Sequence, residues 1–165
     1  MGAQMKAFVF SLVGVVIFES LLRPFISIFG TAPDLGLILT AYFALTRGAV
    51  EGLFFGFVSG LLIDVLHPSL LGWGMLLRLS LGFWMGGFKD NLFLESFYSR
   101  GIVVGLAVLI YELGYHLADS GFSVPGTLYL LGRYSLLATL YSMLLAFLLF
   151  YFSGKRKPKQ PEFSP

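Results

Sequence analysis

Cysteine is absent from this chain of 165 residues, and histidine occurs only twice. Disulfides and thiol catalysis are excluded, and a structural zinc site would lack its usual ligands. Charge is also scarce. Charged residues make up 12% of the chain, against roughly 25% in soluble domains. No HExxH, GxSxG, Walker-type loop or CxxC occurs. The chain therefore reads as non-enzymatic, with no catalytic residues, no cofactor, no metal and no nucleic-acid partner. Asp34, Asp64, Glu112 and Asp119 supply acids, but an intramembrane hydrolase would need two of them paired, and the sequence fixes no such pairing.

Apolar residues are what the chain has in abundance. They account for 57% of it, the mean hydropathy is +0.85, and apolar runs close to membrane-spanning length recur throughout. The expected architecture is all-α, a polytopic membrane protein with six transmembrane helices in a domain covering 1–153. The spans fall at about 7–29, 32–46, 48–66, 70–88, 101–117 and 128–152. Residues 1–4 precede a second candidate start, Met5-Lys6, and read as a cloning remnant. The first run carries Glu19 and Arg23 and lacks a small-residue cleavage site, unlike a signal peptide. Gly30 and Pro33 separate spans one and two, and Thr31 and Asp34 have capping-box spacing. A turn is expected at Arg47-Gly48, and His67-Pro68 ends span three. Span two is short: at 1.5 Å per residue it covers about 22 Å of a roughly 30 Å hydrocarbon core.

Charge sets the expected orientation. With the N-terminus inside, Lys6, Arg47, Lys89, Arg100, Lys155, Arg156, Lys157 and Lys159 all fall on the inner side. The outer loops receive no basic residue, a strong positive-inside asymmetry. The expectation is a multi-pass protein of the bacterial cytoplasmic membrane with both termini cytoplasmic. Residues 154–165 form a basic tail, expected to be disordered. Its Lys155, Arg156, Lys157 and Lys159 suit a topology anchor, anionic lipid or a cytoplasmic partner. The loop Lys89 to Arg100 carries Phe93, Phe97 and Tyr98 among charges and reads as an interfacial segment.

Gly48, Gly52, Gly56 and Gly60 stand at every fourth position of span three, and the next step of four is Asp64. Glycines so spaced let helix backbones touch. The stripe drifts by about 40° per step, so a straight parallel neighbour would leave it. Its purpose has three readings: packing within the chain, docking of a partner helix, or lining a channel. Gly82-Gly86 and Gly101-Gly105 repeat the spacing once each.

Ionisable residues gather in the outer half of the spans. Glu19, Arg23, Asp34, Asp64, Arg78, Glu112, His116 and Arg133 form an intramembrane polar cluster, with His67 and Asp119 at span ends. An unpaired charge at bilayer depth costs roughly 3 kcal/mol or more, so pairing is expected: Glu19 with Arg23, Asp64 with Arg78, Glu112 with Arg133. The cluster reads as glue between helices, as a cavity receiving a ligand or a partner residue, or as an ion path. The inner halves are apolar apart from Glu51, which disfavours transport. His116 reads as a hydrogen-bonded structural histidine rather than a metal ligand.

From Pro33 to Gly87 the chain resembles the bacterial rod shape-determining protein family MreD. The resemblance rests on Pro33-Asp34-Leu35, Arg47-Gly48, Gly52, Gly56-Phe57, Gly60-Leu61, Asp64 and Leu71-Gly72 in that order. Trp73-Gly74 stands where the family often has a polar residue. The resemblance implies a membrane scaffold of the cell-elongation machinery that binds MreC and helps control cell shape and peptidoglycan synthesis. MreB, RodA and a class B penicillin-binding protein are the further implied partners. It also implies the six-helix fold of the substrate-binding components of energy-coupling-factor transporters. The alternative is therefore the substrate-binding membrane component of a vitamin-type uptake transporter.

Overall fold

A computed structural model describes residues 2–27, 31–89 and 97–153. Its helices are α1 (Gly2–Ile17), α2 (Arg23–Ile26), α3 (Leu35–Arg47), α4 (Ala49–Leu66), α5 (Trp73–Gly87), α6 (Phe97–Asp119), α7 (Val124–Leu130) and α8 (Leu136–Ser153). There is no strand among the described residues. A π-helical turn, Phe18–Leu22, joins α1 to α2, and a second, Leu131–Ser135, joins α7 to α8. Pro24 follows the first of them by two residues. It has no N–H to donate and would crowd the carbonyl four residues back, and widening the turn relieves this.

Four continuous helices are long and apolar enough to cross a membrane: Met5–Ile26, Ala49–Leu66, Tyr98–Asp119 and Val124–Ser153. Their exposed residues are large and apolar at helical spacing. Leu106, Ile110 and Leu113 line one such face, and Leu140, Leu144 and Leu148 another. Apolar residues outside and charges inside suit a chain dissolved in lipid. The expected spans two and four are shorter as helices: α3 has 13 residues and α5 has 15. At 1.5 Å per residue they reach only about 20 and 22 Å, against a core of roughly 30 Å. Span four begins later than expected because Pro68 starts a short 3₁₀ turn and Gly72 takes φ +90° before the helix starts at Trp73. The last described helical run begins earlier than expected, at Val124.

α3 lies at the centre, touching α1, α4, α5, α6 and α8. Leu37, Ile38, Ala41 and Ala44 have no exposed surface. Protein rather than lipid surrounds it, so its shortness exposes little backbone to hydrocarbon. On one side Phe8 meets Phe43 and Phe55 edge-on, and Phe43 stacks on Phe55 at 4.5 Å.

The glycine stripe is closed by the chain itself. A Cβ on Gly52 would stand 2.6 Å from both Ala44 Cβ and Gly82 O; on Gly56, 2.5 Å from Arg78 O; on Gly60, 2.6 Å from Met75 Cα. α5 therefore runs along the stripe from Gly60 to Gly52, with α3 filling in at Ala44. Gly82 and Gly86 face Gly52 and Ala49 in the same seam. Docking of a partner helix on Gly52, Gly56 and Gly60 is thereby overturned, because the chain's own backbone occupies that surface. Gly48 has a different role. With φ +114° and ψ −177° it is at once the last cap of α3 and the first of α4, a conformation that side chains rarely tolerate.

Candidate functional site

The α3–α4 turn brings Asp34, at the start of α3, level with Asp64, near the end of α4. Each aspartate caps a helix. Asp34 Oδ1 accepts from the Leu37 amide at 2.7 Å. The expected Thr31–Asp34 capping box is not what forms: Asp34 is itself the cap, and Thr31 Oγ1 is buried with no hydrogen-bond partner among the described residues. Gly72, the cap residue of α5, has no side chain to offer. Asp64 substitutes from the previous helix, its Oδ2 accepting from the amides of Gly72 and Met75 at 2.9 Å each. Both carboxylates thus sit at helix N-termini, where negative charge is favoured.

Arg78 stands between them. Its Nη2 donates to Asp34 Oδ2 at 2.7 Å, and its Nη1 lies 3.9 Å from Asp64 Oδ1. Its guanidinium also lies over the Tyr111 ring at 4.4 Å. The expected Arg78–Asp64 pair is thus the longer arm of a bridge whose short arm is Asp34. Among the described residues Nε and Nη1 of Arg78 have no hydrogen-bond partner, although the side chain is 3% exposed. Glu19 and Arg23 pair as expected, at 2.7 Å.

The expected Glu112–Arg133 pair does not form. Arg133 is exposed, donates to Tyr129 Oη at 2.6 Å and lies beside the Tyr134 ring. The π-helical turn around it changes which residues face inward: Ser135 is buried and donates to Glu112 Oε2 at 3.1 Å. Glu112 Oε2 is also 3.0 Å from His116 Nε2, with no hydrogen bond between them.

Most of these ionisable groups line one cavity of about 410 Å³. Of the polar cluster expected from sequence, Glu19, Arg23, Asp34, Asp64, Arg78, Glu112 and His116 are on its wall, together with His67 and Asp119; Arg133 is not. Three tyrosines on the wall escaped the sequence reading: Tyr111, Tyr115 and Tyr134. A signal was present for two of them. Tyr115 stands three residues from Glu112 and four from Tyr111, so neighbouring positions on α6 link both tyrosines to the charged side. Among the described residues no group of three or more metal-binding side chains comes together. At the opposite end of the bundle Arg47 pairs with Glu51 at 3.1 Å, and Lys89 lies beside Gly48. The tail residues Lys155, Arg156, Lys157 and Lys159, and most of the loop after Lys89, lie outside the described residues.

No family model matches the chain, and neither a curated protein nor a solved structure matches it.

Proposed function

We propose that this chain is a non-enzymatic scaffold of the bacterial elongation machinery. On this reading it resembles MreD, crosses the inner membrane six times with both termini cytoplasmic, and binds MreC. Its further partners on this reading are RodA, a class B penicillin-binding protein and MreB. One observation carries the reading. The scattered residues on which the resemblance rests meet in one packed unit: Asp34 caps α3, Gly56 lies against the Arg78 carbonyl, and Asp64 caps α5 through Gly72. Asp34, Asp64 and Arg78 of that unit line a polar cavity. With Arg47 and Lys89 at the other end, the positive-inside rule turns the cavity outward. The glycine stripe is sealed, so the outward cavity is the polar surface left for the outer part of a partner such as MreC.

The test is co-purification in mild detergent. Wild-type protein should carry co-expressed MreC, and Leu130→Trp, a substitution on the half-buried cavity wall, should lose it while remaining folded. Failure of folded wild-type protein to retain MreC would sink the reading.

A second reading is favoured by the cavity's size, which lies within the range of roughly 300–1,000 Å³ typical of small-molecule sites. On this reading the chain is the substrate-binding component of a vitamin-type uptake transporter. A ligand that binds only the folded state must raise thermal stability, so the absence of any shift across a panel of vitamins would eliminate it.

A further inference from the structure

The charges of the cavity do not balance. Its wall carries five carboxylates, Glu19, Asp34, Asp64, Glu112 and Asp119, against two guanidiniums, Arg23 and Arg78. Glu19 is matched by Arg23 and Asp34 by Arg78, each at 2.7 Å. Asp64 has two backbone amides and the longer contact to Arg78. Glu112 and Asp119, both on α6, are left over. Among the described residues Glu112 has a hydroxyl and a histidine beside it, and Asp119 pairs with no cation. An uncompensated carboxylate facing a cavity within the bundle attracts a positive charge.

The second observation is independent of charge. Arg78 and Thr31 line the same cavity, each is more than nine-tenths buried, and each has polar atoms with no hydrogen-bond partner among the described residues: Nε and Nη1 of Arg78, the latter with only the 3.9 Å contact to Asp64, and Oγ1 of Thr31. Buried donors left open call for an acceptor. A free anion would supply one, but it would enter a space already holding the larger share of negative charge. A neutral carbonyl oxygen supplies the acceptor without that repulsion.

We propose that the cavity takes a peptide segment of a membrane-anchored partner, with a basic side chain set against Glu112 and a backbone carbonyl set towards Arg78. The identity of the source rests on the scaffold reading above; the chemistry rests on the cavity alone. A guanidinium or ammonium at Glu112 would have the rings of Tyr115 and Tyr134 on the same wall, surfaces that favour cations. Its aliphatic stem would lie along Leu130.

The experiment uses the full chain in mild detergent and three capped amino acids as probes: the N-acetyl, N-methylamide derivatives of arginine, norleucine and glutamate. Binding is read by thermal shift and calorimetry. The arginine probe should bind more tightly than the other two, and Glu112→Gln should weaken it about tenfold or more. Asp119→Asn, at an exposed position that does not threaten the fold, should weaken it less. The proposal is overturned if the arginine probe does not bind, if the glutamate probe binds as well, or if neither substitution changes the affinity. A parallel capture of co-expressed MreC separates the two ideas. Equal capture by wild type and Glu112→Gln removes the cation inference and leaves the scaffold reading. No capture, with a retained response to the arginine probe, removes the scaffold reading and leaves the cation site.

Discussion

Asp34 and Asp64 each cap a helix at the same end of the bundle, and Arg78 ties the two caps together, at 2.7 Å from one and 3.9 Å from the other. Helix capping and charge pairing are therefore not separable at Asp34. Asp34→Ala removes the cap of α3, worth about 1 kcal/mol, and strands a buried guanidinium, which costs about 3–5 kcal/mol. Asp64→Asn keeps an oxygen for the Gly72 and Met75 amides and should lose much less. Unfolding in detergent should rank the two in that order, and a larger loss from Asp64→Asn would show that the 3.9 Å arm is the dominant one.

The glycine seam predicts a contrast between two glycines of similar sequence setting. Gly56→Ala places a methyl group against the Arg78 carbonyl of α5 and should cost about 1–3 kcal/mol, with Gly56→Leu costing more. Gly14 has open space around it, so Gly14→Ala should be neutral or slightly stabilising through helix propensity. Thermal midpoints of the purified variants would check this. A tolerated Gly56→Leu is incompatible with the α4–α5 contact.

Gly48 tests backbone conformation apart from packing. An added Cβ meets nothing closer than Lys89 Nζ at 3.6 Å, but φ is +114°. Gly48→Ala should therefore cost about 1–3 kcal/mol from strain alone, and Lys89→Ala should not rescue it. Rescue in the double variant would reassign the cost to crowding.

Arg133 and Glu112 should be energetically independent. Arg133 is exposed and bound to Tyr129, while Glu112 faces Ser135 and His116. A double-mutant cycle with Arg133→Gln and Glu112→Gln should give a coupling within about 0.5 kcal/mol of zero. A larger value would mean that the pair expected from sequence forms after all.

Much of this was legible in the chain. Hydropathy marked the helical segments because lipid demands that apolar side chains face outward and that backbone bonds close within each helix. The Glu19–Arg23 pair and the break at Gly48 were readable because both depend on residues close in sequence. The four-residue glycine spacing identified a close backbone contact. What covers the stripe depends on how α5 folds back after Gly72, a long-range event that no local pattern encodes. The same limit explains Arg133. A π-helical turn shifts the register by a fraction of a turn, so counting along a regular helix pointed the wrong residue at Glu112.

Composition and spacing alone thus determined an all-helical chain suited to lipid, with small residues where helices touch and charges confined to particular levels. Only the tertiary structure decided that the stripe is sealed from within, that two aspartates act as caps bridged by Arg78, and that the remaining carboxylates surround an open cavity. The reason is physical. Apolar burial follows periodicity and is readable one helix at a time, whereas a buried charge is satisfied by whichever partner the fold brings within about 3 Å, and that partner comes from elsewhere in the chain.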